Sequence, residues 1–152
     1  MNIYIGADHR GFHFKEKIEK FLLSKKMTVV DEGPESLHPD DDFTVFAARV
    51  VNAMKTDSAG QDPRGIIICG SGQGMVMAAN RFKGIRAGLG WSVAAARSIR
   101  NDEDSNVLAL PAELLEGDES LWESIVLAWL NTPFAGSDRY KRRIRQLDDL
   151  SQ

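Results

Sequence analysis

The run Gly65-Ile66-Ile67-Ile68-Cys69 is apolar throughout and passes directly into Gly70-Ser71-Gly72-Gln73-Gly74. A strand with one face in water alternates polar and apolar residues, whereas one without alternation is covered on both faces. The rest of the chain supplies the cover. Ile3-Tyr4-Ile5, Thr28-Val29-Val30, Ile85 to Leu89 and Val107 to Leu110 read as four further strands. Between them, Phe14, Ile18, Phe21 and Leu22 recur at helical spacing, as do Phe46, Ala47, Val50, Val51 and Met54. Helices are also expected from the glycine turn through Asn80, over Ser92 to Arg100, and around Trp122, Ile125, Val126 and Trp129. A final helix carries Tyr140, Ile144 and Leu147 on one side and Arg139, Arg142 and Arg143 on another. Strand–helix alternation of this kind predicts an α/β fold, with a five-stranded parallel sheet covered on both faces. The length of 152 residues fits a single domain spanning 1–152.

Such sheets bind ligands in the crevice at the carboxyl ends of their strands. That rule selects Asp8 to Gly11, Cys69 to Gly74, and the segment around Trp91 and Asn101 to Asn106. In the glycine loop, Gly70, Gly72 and Gly74 let backbone N–H groups point inward without a Cβ in the way, a cradle for phosphate, carboxylate or enediolate oxygens. A tight turn with no guest is the plain alternative. A dinucleotide fingerprint would need glycine where Met75 stands, and no Gly-Lys-Ser/Thr follows, which excludes a Walker A loop. Cys69 ends the strand beside these amides. It is either a small buried hydrophobe or a thiol whose pKa the amides lower, giving a thiolate able to take a proton from a carbon acid.

Asp8 is a candidate for binding hydroxyls and His9 for touching phosphate, against the alternative of a helix cap and a solvated ring. His9, His13 and His38 lack metal-ligand spacing, so no metal and no cofactor are expected, and Asp40 to Asp42 reads as a solvated loop. The net charge of −3 argues against a nucleic-acid coat. Five of the 19 basic residues crowd into Arg139 to Arg145, leaving 14 against 22 acidic residues, or −8, elsewhere. Arg139 and Arg143, four apart, form a candidate phosphate clamp, alternatively an exposed basic helix end. A single cysteine points to a reducing compartment, and no signal-peptide pattern or membrane-length apolar run is present; a cytoplasmic protein is expected.

Gly6-Ala7-Asp8-His9-Arg10-Gly11-Phe12, Ile68-Cys69-Gly70-Ser71-Gly72-Gln73-Gly74-Met75, Ala78-Ala79-Asn80-Arg81, Gly84-Ile85-Arg86-Ala87 and Asn106-Val107-Leu108-Ala109-Leu110 occur in that order. Together they resemble the type B ribose-5-phosphate isomerases, a family that includes galactose-6-phosphate isomerase subunits. The resemblance implies a Rossmann-like three-layer α/β/α sandwich and a metal-independent aldose–ketose isomerase. It also implies a homodimer, or a dimer of dimers, with active sites at the interface and a C-terminal helix reaching a partner subunit. By that resemblance, Cys69 is the base that moves a proton between C1 and C2. The loop Gly70 to Gly74 stabilises the enediolate with help from Ser71, Asp8 binds substrate and His9 lies in the phosphate region.

Departures fall on the remaining functions. Asp102 stands at the place of the family's ring-opening histidine and Glu103 at the asparagine after it. Glu113 stands at a phosphate-binding arginine, Tyr140 at a histidine, and Phe43-Thr44 at Tyr-Pro. An aspartate suits acid catalysis at neutral pH only if burial raises its pKa, and an acid where phosphate should land is unfavourable. Three explanations remain open at this point: a substrate such as a tetrose phosphate that needs no ring opening, phosphate binding by Arg81, Arg86, Arg97 or Arg100, or a catalytically weak phosphosugar-binding homologue. A hexose phosphate is a further alternative substrate, and a plain NAD-binding domain a more distant one.

Overall fold

The computed structural model describes residues 1–58 and 62–150. In chain order it contains β1 (Asn2–Ala7), α1 (Phe12–Ser24), β2 (Thr28–Asp31), α2 (Phe43–Thr56), β3 (Arg64–Cys69), α3 (Gln73–Ala79), β4 (Ala87–Leu89), α4 (Val93–Asn101), β5 (Val107–Pro111), α5 (Ala112–Leu115), α6 (Glu119–Asn131) and α7 (Asp138–Leu150). The strands form one sheet in the order β2-β1-β3-β5-β4, and every pairing is parallel.

β3 lies at the centre and is buried along its whole length. The pleat sends Ile66 and Ile68 to one face and Ile67 and Cys69 to the other. The first face packs on α1, α4 and α6, where Phe14 and Phe21 set their rings edge-on to Trp122 at 5.7 and 5.3 Å. The second face packs on α2 and α3 through Val50, Val51, Met54, Met75 and Ala79. The result is the three-layer α/β/α sandwich expected from the continuous apolar strand. Helix starts follow local chemistry: the Ser92 hydroxyl accepts the Ala95 amide at 3.1 Å, and the Asp118 carboxylate accepts the Leu121 amide at 3.0 Å. α7 buries none of its residues. No helix among the described residues is long and apolar enough to cross a membrane.

The fourth strand is shorter than its apolar run suggests, because Asn106 takes over its first residues. The Asn106 side chain accepts the Arg86 amide and donates to the Gly84 carbonyl, each at 2.8 Å. β4 is also an edge strand, and its outward backbone groups are met by a side chain. Asn80 Nδ2 donates to the Ala87 carbonyl at 2.9 Å, and the Ala87 amide donates to Asn80 Oδ1 at 2.8 Å. One amide side chain thus occupies the position of a further strand and blunts the edge. Asn80→Ala is expected to lower unfolding free energy by about 1–2 kcal/mol, the net worth of two such bonds. Urea denaturation checks this, and an unchanged midpoint would contradict the edge role.

Candidate active site

β1, β3 and β5 end side by side, so their carboxyl ends bring three loops to one edge of the sheet. After β1, Asp8 is buried, its amide bonded to the Ile68 carbonyl at 3.2 Å. Asp8 Oδ1 accepts the amides of Arg10 at 2.9 Å and Gly11 at 3.2 Å, which shapes the turn into α1. Burial pushes the Asp8 carboxyl above the usual carboxylate range, and these two amides oppose the shift. His9 follows with its backbone amide on Asp41 Oδ1 at 3.0 Å and its ring Nδ1 on the same oxygen at 2.8 Å. Asp41 is 10% exposed, and its second oxygen is buried with no partner among the described residues. The Asp40–Asp42 stretch is therefore not simply a solvated loop. Its middle carboxylate comes into the cleft and orients His9 through Nδ1, leaving Nε2 as the ring's other nitrogen.

Cys69 closes β3 and is 6% exposed. Directly after it the chain turns through Gly72, whose φ of +76° is left-handed; a Cβ there would also stand 2.4 Å from a Leu89 methyl. That turn aims the Gly72 amide back at Cys69, and the N–H donates to Sγ at 3.1 Å. The amides of Met75 and Ser71 also favour the thiolate, but burial outweighs all three and the nearby Asp8 charge adds to it. The thiol lies above the usual range, which corrects the expectation of a lowered pKa: the amides point the right way, yet the surrounding core is too dry. Ser71 is exposed on the loop, its hydroxyl accepting the Gln73 amide at 3.4 Å. Phe43, at the head of α2, lies against Gly74, where a Cβ would come within 3.0 Å of the ring.

The third loop follows β5. Glu113 donates its amide to the Gly70 carbonyl at 3.1 Å, and its carboxylate pairs with the Arg10 guanidinium. The acid that sequence alone marks as hostile to phosphate thus has a cationic partner from the loop after β1. Arg10, Asp41 and this pairing were not legible in the spacing, since the three loops are far apart in sequence.

Asp8, His9, Cys69, Gly70, Ser71, Gly72 and Gly74 share this edge; Asp102, Arg139 and Arg143 do not join them. α4 runs back along the sheet, so Asn101 to Asn106 lies where β5 begins, opposite the edge assigned to it from sequence. The six residues of β3 put about 17 Å between the two edges. At the far edge Asp102 is bonded by Asn101 Nδ2 at 2.7 Å and by Ser98 Oγ at 3.3 Å. The Asn101 bond, with help from Tyr140, Ser98 and the Arg139 charge, holds the Asp102 carboxyl below the usual range. It is ionised at neutral pH and is no proton donor there, contrary to the burial-raised acid considered from sequence. Arg86 is committed to Asp104 and to the carbonyls of Glu103 and Asp104. Arg100 is buried against Asp104 and the Ser105 carbonyl. Arg97 lies on α4 beside α6, and Arg81 follows α3. Arg86 and Arg100 therefore do not serve the cleft as substitute phosphate ligands.

Central strand, layering and gathered loops define a Rossmann-like α/β protein with its polar cleft at the carboxyl edge of the sheet. Residues 3–147 match the Ribose/Galactose Isomerase family. Ribose-5-phosphate isomerase B of Mycolicibacterium paratuberculosis is 33% identical over 144 residues, covering 95% of this chain and 87% of that protein. The crystal structure of a ribose 5-phosphate isomerase from Thermotoga maritima superposes with a TM-score of 0.89 at 40% identity, covering 97% of each chain. The Mycoplasma genitalium ribose-5-phosphate isomerase B with bound ribulose-5-phosphate superposes with a TM-score of 0.89 at 36% identity, covering 98% of this chain and 95% of that one. The chain belongs to this family of aldose–ketose isomerases.

The raised thiol has a direct reading. Alkylation of Cys69 by iodoacetamide should keep accelerating at pH values where a free thiol of pKa ~8.5, followed in parallel, has levelled off, because only the thiolate reacts. A rate that levels off near pH 7 would show a lowered pKa instead.

Proposed function

We propose that the chain interconverts an aldose phosphate and a ketose phosphate of the ribose 5-phosphate/ribulose 5-phosphate type, with Cys69 as the base. The observation that carries this is the Cys69 thiol at the end of the central strand, addressed by the Gly72 amide. Family membership and the relative that holds ribulose-5-phosphate support the substrate class.

In the proposed reaction the Cys69 thiol first releases its proton to solvent; the thiolate then removes the proton from the carbon beside the carbonyl, and the electron pair moves to the carbonyl oxygen to give an enediolate. The thiol, its proton partly exchanged with solvent, then delivers a proton to the neighbouring carbon while a proton passes between the two oxygens. The Gly72 amide stabilises the thiolate when it forms, offsetting part of the burial penalty. Ser71 and the loop Gly70 to Gly74 are assigned to the enediolate oxygens, Asp8 to the sugar hydroxyls and His9, held by Asp41, to the phosphate side. These groups perform the enolisation with no metal, and turnover should persist after exhaustive chelation.

A complete site then needs a second copy of the chain. Arg139 and Arg143 sit on a helix with no buried residue that starts at the far edge, about 17 Å from Cys69 by strand length. Supplied by a partner in a homodimer or a dimer of dimers, they close over the phosphate. Asp102 enters from the partner too, ionised, as a proton acceptor. That ionisation also favours a second reading: a tetrose phosphate, which stays open-chain and needs no ring-opening acid.

Cys69→Ala should reduce kcat by about 10²–10⁴-fold and abolish solvent-deuterium uptake at the carbon beside the carbonyl. A panel of phosphorylated aldoses and ketoses of four to six carbons, assayed on both proteins, separates the pentose, tetrose and hexose readings. Full activity in the variant refutes the cysteine base. The shared site has its own check. Cys69→Ala mixed and refolded with Arg139→Ala/Arg143→Ala should regain about a quarter of the parent activity, since half the dimers carry one intact site. No recovery would place each site within one chain.

A further inference from the structure

Arg10 comes from the turn after β1 and Glu113 from α5, which follows β5 directly; β1 and β5 flank β3, and the two side chains meet across the end of that strand. The guanidinium lies directly on Gly70: a Cβ at that position would stand 2.6 Å from its Cζ and Nε and 2.9 Å from Nη1. Any side chain at residue 70 would displace it. Both residues are fixed at the backbone, Arg10 by its amide on Asp8 Oδ1 at 2.9 Å and Glu113 by its amide on the Gly70 carbonyl at 3.1 Å. Their side chains are nevertheless 54% and 56% exposed.

An ion pair so open to water is weakly held. Glu113 therefore chooses the resting place of the guanidinium without being able to keep it from a stronger anion. A sugar phosphate brings more charge than one carboxylate, with several oxygens that match the two-pronged guanidinium. Three other cations have prior commitments. Lys15 is 3% exposed and tied to Asp31, while Arg86 and Arg100 are bonded to Asp104 at the opposite edge.

We propose that Arg10 is the cationic phosphate-binding group this chain contributes to its own cleft beside His9, and that Glu113 is its resting partner, displaced when the phosphate binds. The proposal rests on the sugar-phosphate reading above and deepens it. A carboxylate beside the phosphate subsite ceases to be an obstacle, because it parks the receptor over Gly70 when the site is empty. Within the pair the two charges then act on ligand binding with opposite sign.

Calorimetric titration with inorganic phosphate tests this, together with KM for ribose 5-phosphate. Arg10→Gln should weaken phosphate binding about ten- to a hundredfold, the worth of a charge-assisted contact, and raise KM in parallel. Arg10→Lys should recover part of that loss. Glu113→Gln should tighten phosphate binding severalfold, because the competing carboxylate is gone. A structural ion pair predicts lowered stability in both variants with phosphate affinity unmoved. Unchanged phosphate binding in Arg10→Gln, or weaker binding in Glu113→Gln, overturns the proposal. Phosphate titration reads the subsite without turnover, so absence of isomerisation by the parent chain would reject the proposed reaction while this measurement still decides the role of Arg10.

Discussion

The complete burial of β3 is the constraint on which the other features depend. A strand with both faces covered and neighbours on both sides has no route to water except through its ends. Its carboxyl end therefore has to turn immediately, and the left-handed backbone at Gly72 makes that turn. The same turn returns an N–H to the sulfur of the last strand residue. Burial and the amide then pull the thiol in opposite directions, and burial wins. Cys69 is consequently a protonated thiol at rest, carried on the fully buried central strand.

The two edges of the sheet divide the charged residues. At the amino edge two cations are spent on structure, Arg86 and Arg100 both converging on Asp104. At the carboxyl edge Arg10 pairs with Glu113 in the open, while His9 is held on Asp41 by two hydrogen bonds. Loose pairs are easily rearranged by a charged guest, whereas buried ones are not. The exposed Arg10–Glu113 pair is the one of these open to exchange with a charged guest. α7, basic and without a buried residue, starts at the amino edge, away from this cleft.

Much of the architecture was legible in the sequence, since periodicity reports which face of an element is covered. All five strands and the long helices fall on their apolar runs. Inaccuracies lie where side chains take over backbone bonds. Asn106 shortens β4, and the four-residue α5 is too brief to show a period. At the site, Cys69 and its glycines were legible because they are contiguous with the central strand. Asp41 and the Arg10–Glu113 pair were not, because each joins loops brought together only by strand order. Asn101 to Asn106 was assigned to the wrong edge for a related reason: chain direction along α4, not polarity, decides which end of the sheet a loop occupies.

What the chain determined by itself is the layered α/β class, the family, and a thiol followed by a glycine turn. These depend on residue type and local spacing, which survive without coordinates. Tertiary structure alone decided the state of that thiol and the pairing of Glu113 with Arg10. Ionisation is set by the summed field and dryness of a residue's surroundings. Those surroundings are assembled from segments up to a hundred residues apart, so no local stretch of sequence contains them.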